Sequence, residues 1–281
     1  MMRAAVLGSP IAHSLSPHLH RAAYRAMGLD EWRYDAFECD EAGLPAMLAG
    51  MGAEWAGLSL TMPLKRAVLP LVDTVSDLAV AVGGANTVIF RGGRSHGDNT
   101  DVYGIRQALA EAGVPAPRSA TVLGGGATAA SALAALRELD LGEATLVVRD
   151  PARAGETAAV AERLGMTLAV ETFDKLDTAV RADLVVSTLP GSAADAYAPL
   201  LAGVPALFDV VYSPWPTRAA TAVRQAGGTV VGGFAMLLHQ AVLQVRLMTG
   251  REDVPVEAMR AAGEAEIRRR TAADQGDDSR K

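Results

Sequence analysis

A glycine-rich stretch in the middle of the chain, Thr121-Val122-Leu123-Gly124-Gly125-Gly126-Ala127-Thr128-Ala129, decides the fold. A predicted strand (Ala120–Leu123) leads into the glycines, and a predicted helix follows them to about Leu139. The pattern is G-x-G-x-x-A: the first glycine permits a tight turn, the second lets a pyrophosphate approach the backbone, and the small third residue lets helix and strand pack closely. Phosphates then lie over the N–H groups at the helix N-terminus. We therefore predict a dinucleotide site at this turn.

A regular alternation of predicted strands and helices after Asp101 extends this prediction. Strand-like runs alternate there with helical stretches of roughly 10–15 residues, which is typical of right-handed βαβ units and a doubly wound parallel sheet. Before residue 102 the rhythm differs, and a strand followed by Gly92-Gly93 predicts a hairpin. We expect an α/β protein with two lobes, a Rossmann-type lobe and a second α/β lobe, with the active site between them.

Composition excludes several classes of function. The chain has 281 residues, of which 50% are hydrophobic, and its 26 basic and 32 acidic residues give a net charge of −6. An acidic chain is a poor binder of nucleic acid or anionic membranes. We find no apolar run near the ~20 residues of a membrane span and no pattern of a secretory signal. Cys39 is the single cysteine, which fits a reducing compartment, so we expect a cytoplasmic protein.

The end of the next predicted strand bears on which dinucleotide binds. An acidic residue there favours the ribose 2′-OH of NAD, and an arginine favours the 2′-phosphate of NADP. Asp150 is of the first kind, although Asp-Pro is also an ordinary cap for a helix that begins at Pro151. Arg149 and Arg153 are of the second kind and lie four residues apart. We predict NADP, with NAD as the alternative.

Polar residues gather at a predicted loop-to-helix transition near the N-terminus. Ser14 and Ser16 are suited to bind a ligand carboxylate through neutral hydrogen bonds, although Ser16 also fits as a plain helix N-cap before Pro17. Histidines occur at positions 13, 18 and 20, but no second ligand motif accompanies them. We therefore predict no metal site.

Lys65 is one of only three lysines among the 26 basic residues, and it closes the motif Ser59-Leu60-Thr61-Met62-Pro63-Leu64-Lys65 after a predicted strand. An ammonium can release its proton, whereas a guanidinium stays charged. Asp101 opens a predicted helix after further amides and hydroxyls in turns. Taken alone, each residue also fits a role without function in catalysis, Lys65 as a solvated surface charge and Asp101 as a helix N-cap.

In combination these motifs resemble the shikimate dehydrogenase family over residues 3–267. The matching segments are Gly8–His20, Ser59–Lys65, Gly84–Thr87, Asn99–Gly104, Gly124–Ala129, Ser187–Pro190, Asp209–Thr217 and Gly233–Gln240. The resemblance implies NADP-linked interconversion of 3-dehydroshikimate and shikimate, on the route to aromatic amino acids. It also implies a discontinuous substrate-binding domain (1–103 plus 235–267) and a dinucleotide-binding domain (104–234). The polar end, 268–281, is predicted to be a disordered tail.

The resemblance also implies roles for individual residues. Lys65 and Asp101 are the expected catalytic pair. Ser14 and Ser16, with Tyr212 nearby, are expected to bind the carboxylate. The groups expected to hold the ring hydroxyls are Thr61, Lys65, Asn86, Asp101 and Gln240. The expected cofactor residues are Gly124, Gly125, Gly126, Ala127, Thr128, Arg149 and Arg153, with Thr188, Val210, Gly233 and Met236 at the nicotinamide. The chain departs from the family pattern at four positions. Ser59 and Arg21 each stand where the family commonly has Asn, and Val148 and Asp150 replace the usual Asn and Thr on either side of Arg149.

Two other functions stay open at this point. One is an NAD-dependent quinate/shikimate dehydrogenase, which Asp150 favours. The other is a dinucleotide-binding regulator without catalysis, which the Lys65/Asp101 pair disfavours because a sensor needs no proton donor. A methyltransferase that shares the glycine turn is a weaker possibility, since it leaves the N-terminal motifs unexplained. The sequence is compatible with a monomer or a homodimer.

Overall fold

The computed structural model describes residues 1–278, except for the side chains of Arg153 and of residues 274–278. The backbone divides into two compact units. The first unit contains residues 1–80, 84–100 and those from Gln240 onward, and the second contains residues 81–83 and 101–239. The predicted boundaries, after residues 103 and 234, differ from these divisions by a few residues.

The first unit is built on a mixed sheet with the strand order β2-β1-β3-β5-β6-β4. Its strands are β1 (Met2–Gly8), β2 (Trp32–Glu38), β3 (Trp55–Leu60), β4 (Thr74–Val75), β5 (Thr87–Arg91) and β6 (Arg94–Asp98). Strands β1, β2 and β3 are parallel, whereas β5 runs antiparallel to both β3 and β6. The β5–β6 pair turns at Gly92 and Gly93, which both have positive φ, and this confirms the predicted hairpin.

The second unit is built on a fully parallel sheet with the order β12-β11-β10-β7-β8-β9. Its strands are β7 (Ala120–Leu123), β8 (Glu143–Val148), β9 (Thr167–Thr172), β10 (Leu184–Ser187), β11 (Ala206–Asp209) and β12 (Thr229–Gly232). This is the order of a doubly wound dinucleotide-binding fold, so the predicted fold class is confirmed. The strand order reverses between β7 and β10, where such folds bind ligands at the carboxyl ends of the strands.

Helices connect the strands of both units. They are α1 (Ser16–Ala26), α2 (Leu44–Ala49), α3 (Leu64–Ala67), α4 (Asp77–Val82), α5 (Asp101–Glu111), α6 (Ala127–Glu138), α7 (Gly155–Arg163), α8 (Leu176–Ala179), α9 (Ala198–Leu201), α10 (Arg218–Gln225), α11 (Gly233–Thr249) and α12 (Val256–Asp278). Within residues 1–278, none of them is long and apolar enough to cross a membrane.

One prediction about a helix start is wrong. Ser16 is the first residue of α1 and not its cap, since Leu15 holds the N-cap position without a side-chain bond. Ser14 Oγ instead accepts from the N–H of Ser16 at 3.3 Å. Residues 268–278 of the predicted tail belong to α12, in which Arg270 donates to the carbonyl of His13 (2.7 Å). Residues 279–281 lie outside the described part.

The core of the first unit anchors the segment that carries Lys65. Every residue of β3 is buried, including Leu58 and Leu60. Leu64, the first residue of α3, is fully buried in the same cluster, while its neighbour Lys65 is only half-buried. Burial of one face of this short helix therefore fixes which way the next residue projects.

Candidate active site

Thr61 and Lys65 follow the carboxyl end of β3. The N–H of Thr61 donates to the carbonyl of Leu7 at the end of β1 (2.9 Å), and its carbonyl accepts from the N–H of Leu64 (2.8 Å). A Cβ at Gly8 would overlap the Thr61 methyl group, so glycine lets the two strand ends lie close. The turn after β3 is thus fixed on both sides and leads directly to Lys65.

Asn86 lies beside this turn. The N–H of Ala85 donates to the carbonyl of Lys65 (2.8 Å), and the N–H of Leu60 donates to the carbonyl of Asn86 (2.7 Å). The structure therefore brings the backbones of Thr61, Lys65 and Asn86 to one edge of the first sheet, where the sequence predicted polar substrate contacts.

Asn86, Thr100 and Gln240 form a buried polar cluster in the first unit. Asn86 Nδ2 donates to Thr100 Oγ1 at 3.0 Å and to Gln240 Oε1 at 3.3 Å. The backbone N–H of Thr100 donates to Asn86 Oδ1 at 2.7 Å. All three side chains are buried, and a cluster of this kind is stable only when its polar groups have partners. Two residues predicted to hold ring hydroxyls, Asn86 and Gln240, are therefore neighbours.

The loop that carries Ser14 is held by α12. Arg270 donates to the carbonyls of His13 (2.7 Å) and Ser14 (3.4 Å), and its guanidinium also bonds the carboxylate of Glu266 (2.7 Å). Hydrogen bonds from Arg269, and then from Arg270, lower the pKa of the nearly buried Glu266 to about 2. The carboxylate stays charged at neutral pH and fixes the arginine that holds the loop.

Two of the three histidines near the N-terminus, His18 and His20, have side-chain partners within the first unit. His20 is fully buried, stacks on Tyr34 with 3.9 Å between ring centroids, and its Nδ1–H donates to the carbonyl of Ser16 (3.0 Å). Burial lowers the pKa of His20 to about 4, so the ring is neutral at pH 7. His18 lies 3.6 Å from Glu266. Among the side chains that the structure describes, no group of three or more His, Cys, Asp or Glu is arranged to hold a metal ion.

The glycine turn of the second unit lies between β7 and α6. Gly124 has φ of +97°, and a Cβ there would lie 2.7 Å from Thr188 Oγ1, so this position requires glycine. Gly126 is the N-cap of α6, makes no side-chain cap bond, and has open space where a Cβ would stand. Thr157 holds the turn by donating to the carbonyl of Gly125 (2.8 Å). An uncovered helix N-terminus beside an open glycine fits a dinucleotide pyrophosphate.

The residues expected to select the cofactor follow β8. Arg149 is exposed, directly after the strand. Asp150 Oδ1 accepts from the N–H of Ala152 (3.0 Å) and so caps a short 3-10 turn, Pro151–Arg153. A 3-10 turn therefore begins at Pro151, where the sequence offered the start of a helix, and α7 begins at Gly155. Because Asp150 has this local role, its presence is no longer a specific argument for NAD.

Three of the residues predicted at the nicotinamide end lie at neighbouring strand ends. The N–H of Val210 donates to the carbonyl of Ser187 (3.1 Å), and the N–H of Gly233 donates to the carbonyl of Val211 (3.1 Å). Thr188, next to Ser187, donates through Oγ1 to the carbonyl of Leu123 (2.8 Å). The carboxyl ends of β7, β10, β11 and β12 thus meet there, and Met236 is buried one turn into α11.

Asp209 holds the segment that leads to Tyr212. It is fully buried and accepts from Thr217 Oγ1 (2.9 Å) and the N–H of Val211 (3.3 Å), while burial raises the pKa of its carboxyl. Asp101 and Tyr212 belong to the second unit, whereas Lys65 belongs to the first. Asp101 is buried and follows Thr100 directly in the chain. The pairing of Asp101 with Lys65, and of Tyr212 with the serines, stays a prediction.

Sequence reasoning missed several residues that build the site. These are Thr87, Thr100, Thr157 and Gln244. Gln244 had a detectable signal, because it lies four residues after Gln240 and hence on the same face of one helix. Thr157 had none, since its partner is a backbone carbonyl 32 residues away.

Comparison with known proteins places this chain in a family. The "Shikimate dehydrogenase substrate binding domain" matches residues 6–88, and the "Shikimate 5'-dehydrogenase C-terminal domain" matches residues 233–262. The shikimate dehydrogenase (NADP(+)) of one Thermus thermophilus strain is 39% identical over 251 residues, which are 89% of this chain and 93% of that protein. The chain belongs to the shikimate dehydrogenase family. The resemblance predicted from its motifs is confirmed.

Solved structures of shikimate dehydrogenases agree with this membership. The enzyme of Mycobacterium tuberculosis is 44% identical, with a TM-score of 0.88 over 94% of this chain and 100% of that one. The enzyme of a second Thermus thermophilus strain, solved in complex with NADP(H) and shikimate, is 35% identical, with a TM-score of 0.83 over 94% of this chain and 99% of that one. The match therefore covers both units.

Proposed function

We propose that this chain is an NADP-linked dehydrogenase that interconverts 3-dehydroshikimate and shikimate. The observation that carries the proposal is the buried cluster of Asn86, Thr100 and Gln240 at the same sheet edge as Lys65. Amides and hydroxyls in that arrangement suit a small polyhydroxylated ring. The names of the relatives and the bound ligands of the Thermus structure support the same substrate and cofactor.

In this proposal the first unit holds the substrate. Thr61, Asn86 and Gln240 hold the ring hydroxyls, and Ser14 and Ser16 bind the carboxylate. Neutral hydroxyls bind a carboxylate without a buried ion pair, whose desolvation is expensive. The Arg270 bonds to the carbonyls of His13 and Ser14 support this role, since they fix the loop and leave the Ser14 side chain outside that contact.

Lys65 is the general acid and general base of the proposed reaction. As an ammonium it stabilises the negative charge that develops on the substrate oxygen and donates a proton to it, and in the oxidation direction the neutral amine accepts that proton. Asp101 is the proposed second member of the catalytic pair. The cofactor, when bound, would supply the hydride as NADPH in the reduction and accept it as NADP+ in the oxidation.

The second unit binds the cofactor. Residues Gly124 to Thr128 receive the pyrophosphate at the N-terminus of α6, and Arg149 and Arg153 bind the 2′-phosphate. Thr188, Val210, Gly233 and Met236 line the nicotinamide end. The cap bond of Asp150 supports NADP over NAD, because the carboxylate has a structural reason to be there. We assign the protein to the cytoplasm, in keeping with a single, unpaired cysteine.

Initial rates with shikimate or quinate, each paired with NADP or NAD, test the proposal. We expect the highest kcat/KM for shikimate with NADP. A higher value for quinate with NAD would instead support the quinate/shikimate dehydrogenase. Measurable NADP binding without turnover in all four mixtures would support a non-catalytic regulator and contradict the proposal.

A further inference from the structure

A line of buried polar side chains crosses the first unit and ends at Asn86. The hydroxyl of Tyr34, on β2, lies 2.6 Å from Ser59 Oγ, and Ser59 Oγ lies 2.7 Å from Gln244 Oε1. Gln244 Nε2 lies 3.0 Å from Thr87 Oγ1, which lies 2.9 Å from Asn86 Oδ1. None of these five residues is more than 4% exposed. We call this line the Tyr34–Asn86 chain.

Two backbone groups fix the direction of its hydrogen bonds. The N–H of Thr100 can only donate, and it lies 2.7 Å from one side-chain atom of Asn86, which must therefore be the oxygen, Oδ1. The carbonyl of Asn86 can only accept, and it lies 3.2 Å from one side-chain atom of Gln244, which must therefore be the nitrogen, Nε2. Both amides are thus oriented by groups that have no alternative role.

The orientations of these two amides determine which way each hydroxyl donates its proton. Thr87 accepts from Gln244 Nε2, so its own proton goes to Asn86 Oδ1. Ser59 donates to Gln244 Oε1, so it accepts from Tyr34, whose burial raises its pKa and keeps the hydroxyl protonated. Every bond in the chain therefore points the same way, from Tyr34 to Asn86.

The same donor-to-acceptor direction continues into the buried cluster of Asn86, Thr100 and Gln240. With Oδ1 held by Thr87 and Thr100, Asn86 directs Nδ2 to Gln240 Oε1 at 3.3 Å. A flip of the Asn86 amide would place its nitrogen against the N–H of Thr100 and leave two donors without an acceptor. Such a mismatch in a buried network is expensive.

We propose that Ser59, Thr87 and Gln244 are positioning residues that hold the amide of Asn86, and through it that of Gln240, in the one orientation that the substrate meets. This inference rests on the proposed function. It also gives Ser59 a role in this chain, at a position where the family pattern commonly has Asn. The serine is short enough to bridge Tyr34 and Gln244.

The test is steady-state kinetics of Thr87→Val, which keeps the shape of the side chain and removes its side-chain hydrogen bonds to Asn86, Thr100 and Gln244. We expect KM for shikimate to rise about tenfold, the factor for one net hydrogen bond of ordinary strength, while KM for NADP is unchanged. Thr87→Ser keeps the hydroxyl and should restore the wild-type KM. The matched control is Thr121→Val, since Thr121 is an equally buried strand threonine that bonds a backbone carbonyl, that of Ala179, in the second unit (2.5 Å).

The outcomes separate this inference from the proposed function. Wild-type protein without shikimate turnover would contradict the function itself. Active wild type with an unchanged KM for shikimate in folded Thr87→Val, or a rise that Thr87→Ser does not reverse, would overturn the inference alone. If Thr87→Val does not fold, Ser59→Ala tests the inference instead. This variant removes the hydrogen bond from Ser59 to Gln244, which two further hydrogen bonds separate from Asn86, and we expect KM for shikimate to rise about threefold. No rise would contradict the inference.

Discussion

Gly233 and Val210 lie so close that a Cβ on Gly233 would overlap the carbonyl oxygen of Val210. Both residues are proposed to face the nicotinamide, and the contact joins the start of α11 to the end of β11. Because the overlapping atom belongs to the backbone, a side-chain rotation cannot relieve it. The position therefore requires glycine for reasons of packing, whatever the cofactor.

Gly233→Ala is accordingly expected to destabilise the protein by about 1–3 kcal/mol, the usual cost of an extra methyl group in a packed site. Displacement of Val210 should also raise KM for NADP. Thermal unfolding and steady-state kinetics measure both. Gly203→Ala is the matched control, because a Cβ there has open space. Equal Tm and KM values for the two variants would contradict the prediction.

The open space at Gly126 gives a different kind of test. Gly126→Ala should fold with a normal Tm, since its Cβ meets no protein atom within 4 Å. Its KM for NADP should nevertheless rise by about tenfold or more, on the order expected when a close phosphate approach is blocked. Gly124→Ala should lower Tm as well, because φ of +97° and Thr188 both oppose a side chain there. An unchanged KM in Gly126→Ala would place the pyrophosphate elsewhere.

The two arginines test the choice of cofactor. Arg149→Ala and Arg153→Ala should each raise KM for NADP more than KM for NAD, because only NADP carries the 2′-phosphate. Asp150→Ala removes a cap and should lower Tm by a small amount without reversing the preference. Equal effects of the arginine variants on both cofactors would show that neither residue binds the 2′-phosphate.

Glu266 predicts a pH dependence of stability. Its pKa is about 2 in the folded protein, below the value of about 4.3 for an unfolded chain. The folded state thus favours the charged carboxylate, and the stabilisation is complete above about pH 5 and is lost as the pH falls towards 2. Glu266→Gln should lower Tm at pH 7, and the difference from wild type should shrink on acidification. Glu264→Gln, at a more exposed position of α12, should show no such trend.

The parts of the fold that the sequence predicted are those with local causes. The strand from Ala120 to Leu123 and the glycine turn were predicted correctly, because alternation of strand and helix and the G-x-G-x-x-A spacing are local patterns. The hairpin at Gly92-Gly93 was predicted for the same reason. The helical end of α12 was not, since its composition is polar and the contact of Arg270 is with a loop 257 residues away.

The same distinction applies to the site. Asn86 and Gln240 were found through motifs, yet their contact joins residues 154 positions apart, and spacing gives no sign of it. Gln244 was missed although it lies four residues after Gln240, and Thr87 was missed because its partner Gln244 lies 157 residues away in the chain. Ser16 was interpreted as a cap from its neighbour Pro17, whereas the hydrogen bond runs from its own N–H to Ser14.

The rate of NADP reduction by Lys65→Ala and Lys65→Arg at saturating shikimate and NADP tests the central claim most directly. A titratable amine at position 65 predicts that kcat falls ~10²-fold or more in both variants, since alanine removes the proton donor and arginine cannot release a proton. Lys175→Ala, at an exposed lysine of the second unit, should retain the wild-type rate. Near-normal kcat in either folded Lys65 variant would contradict the account.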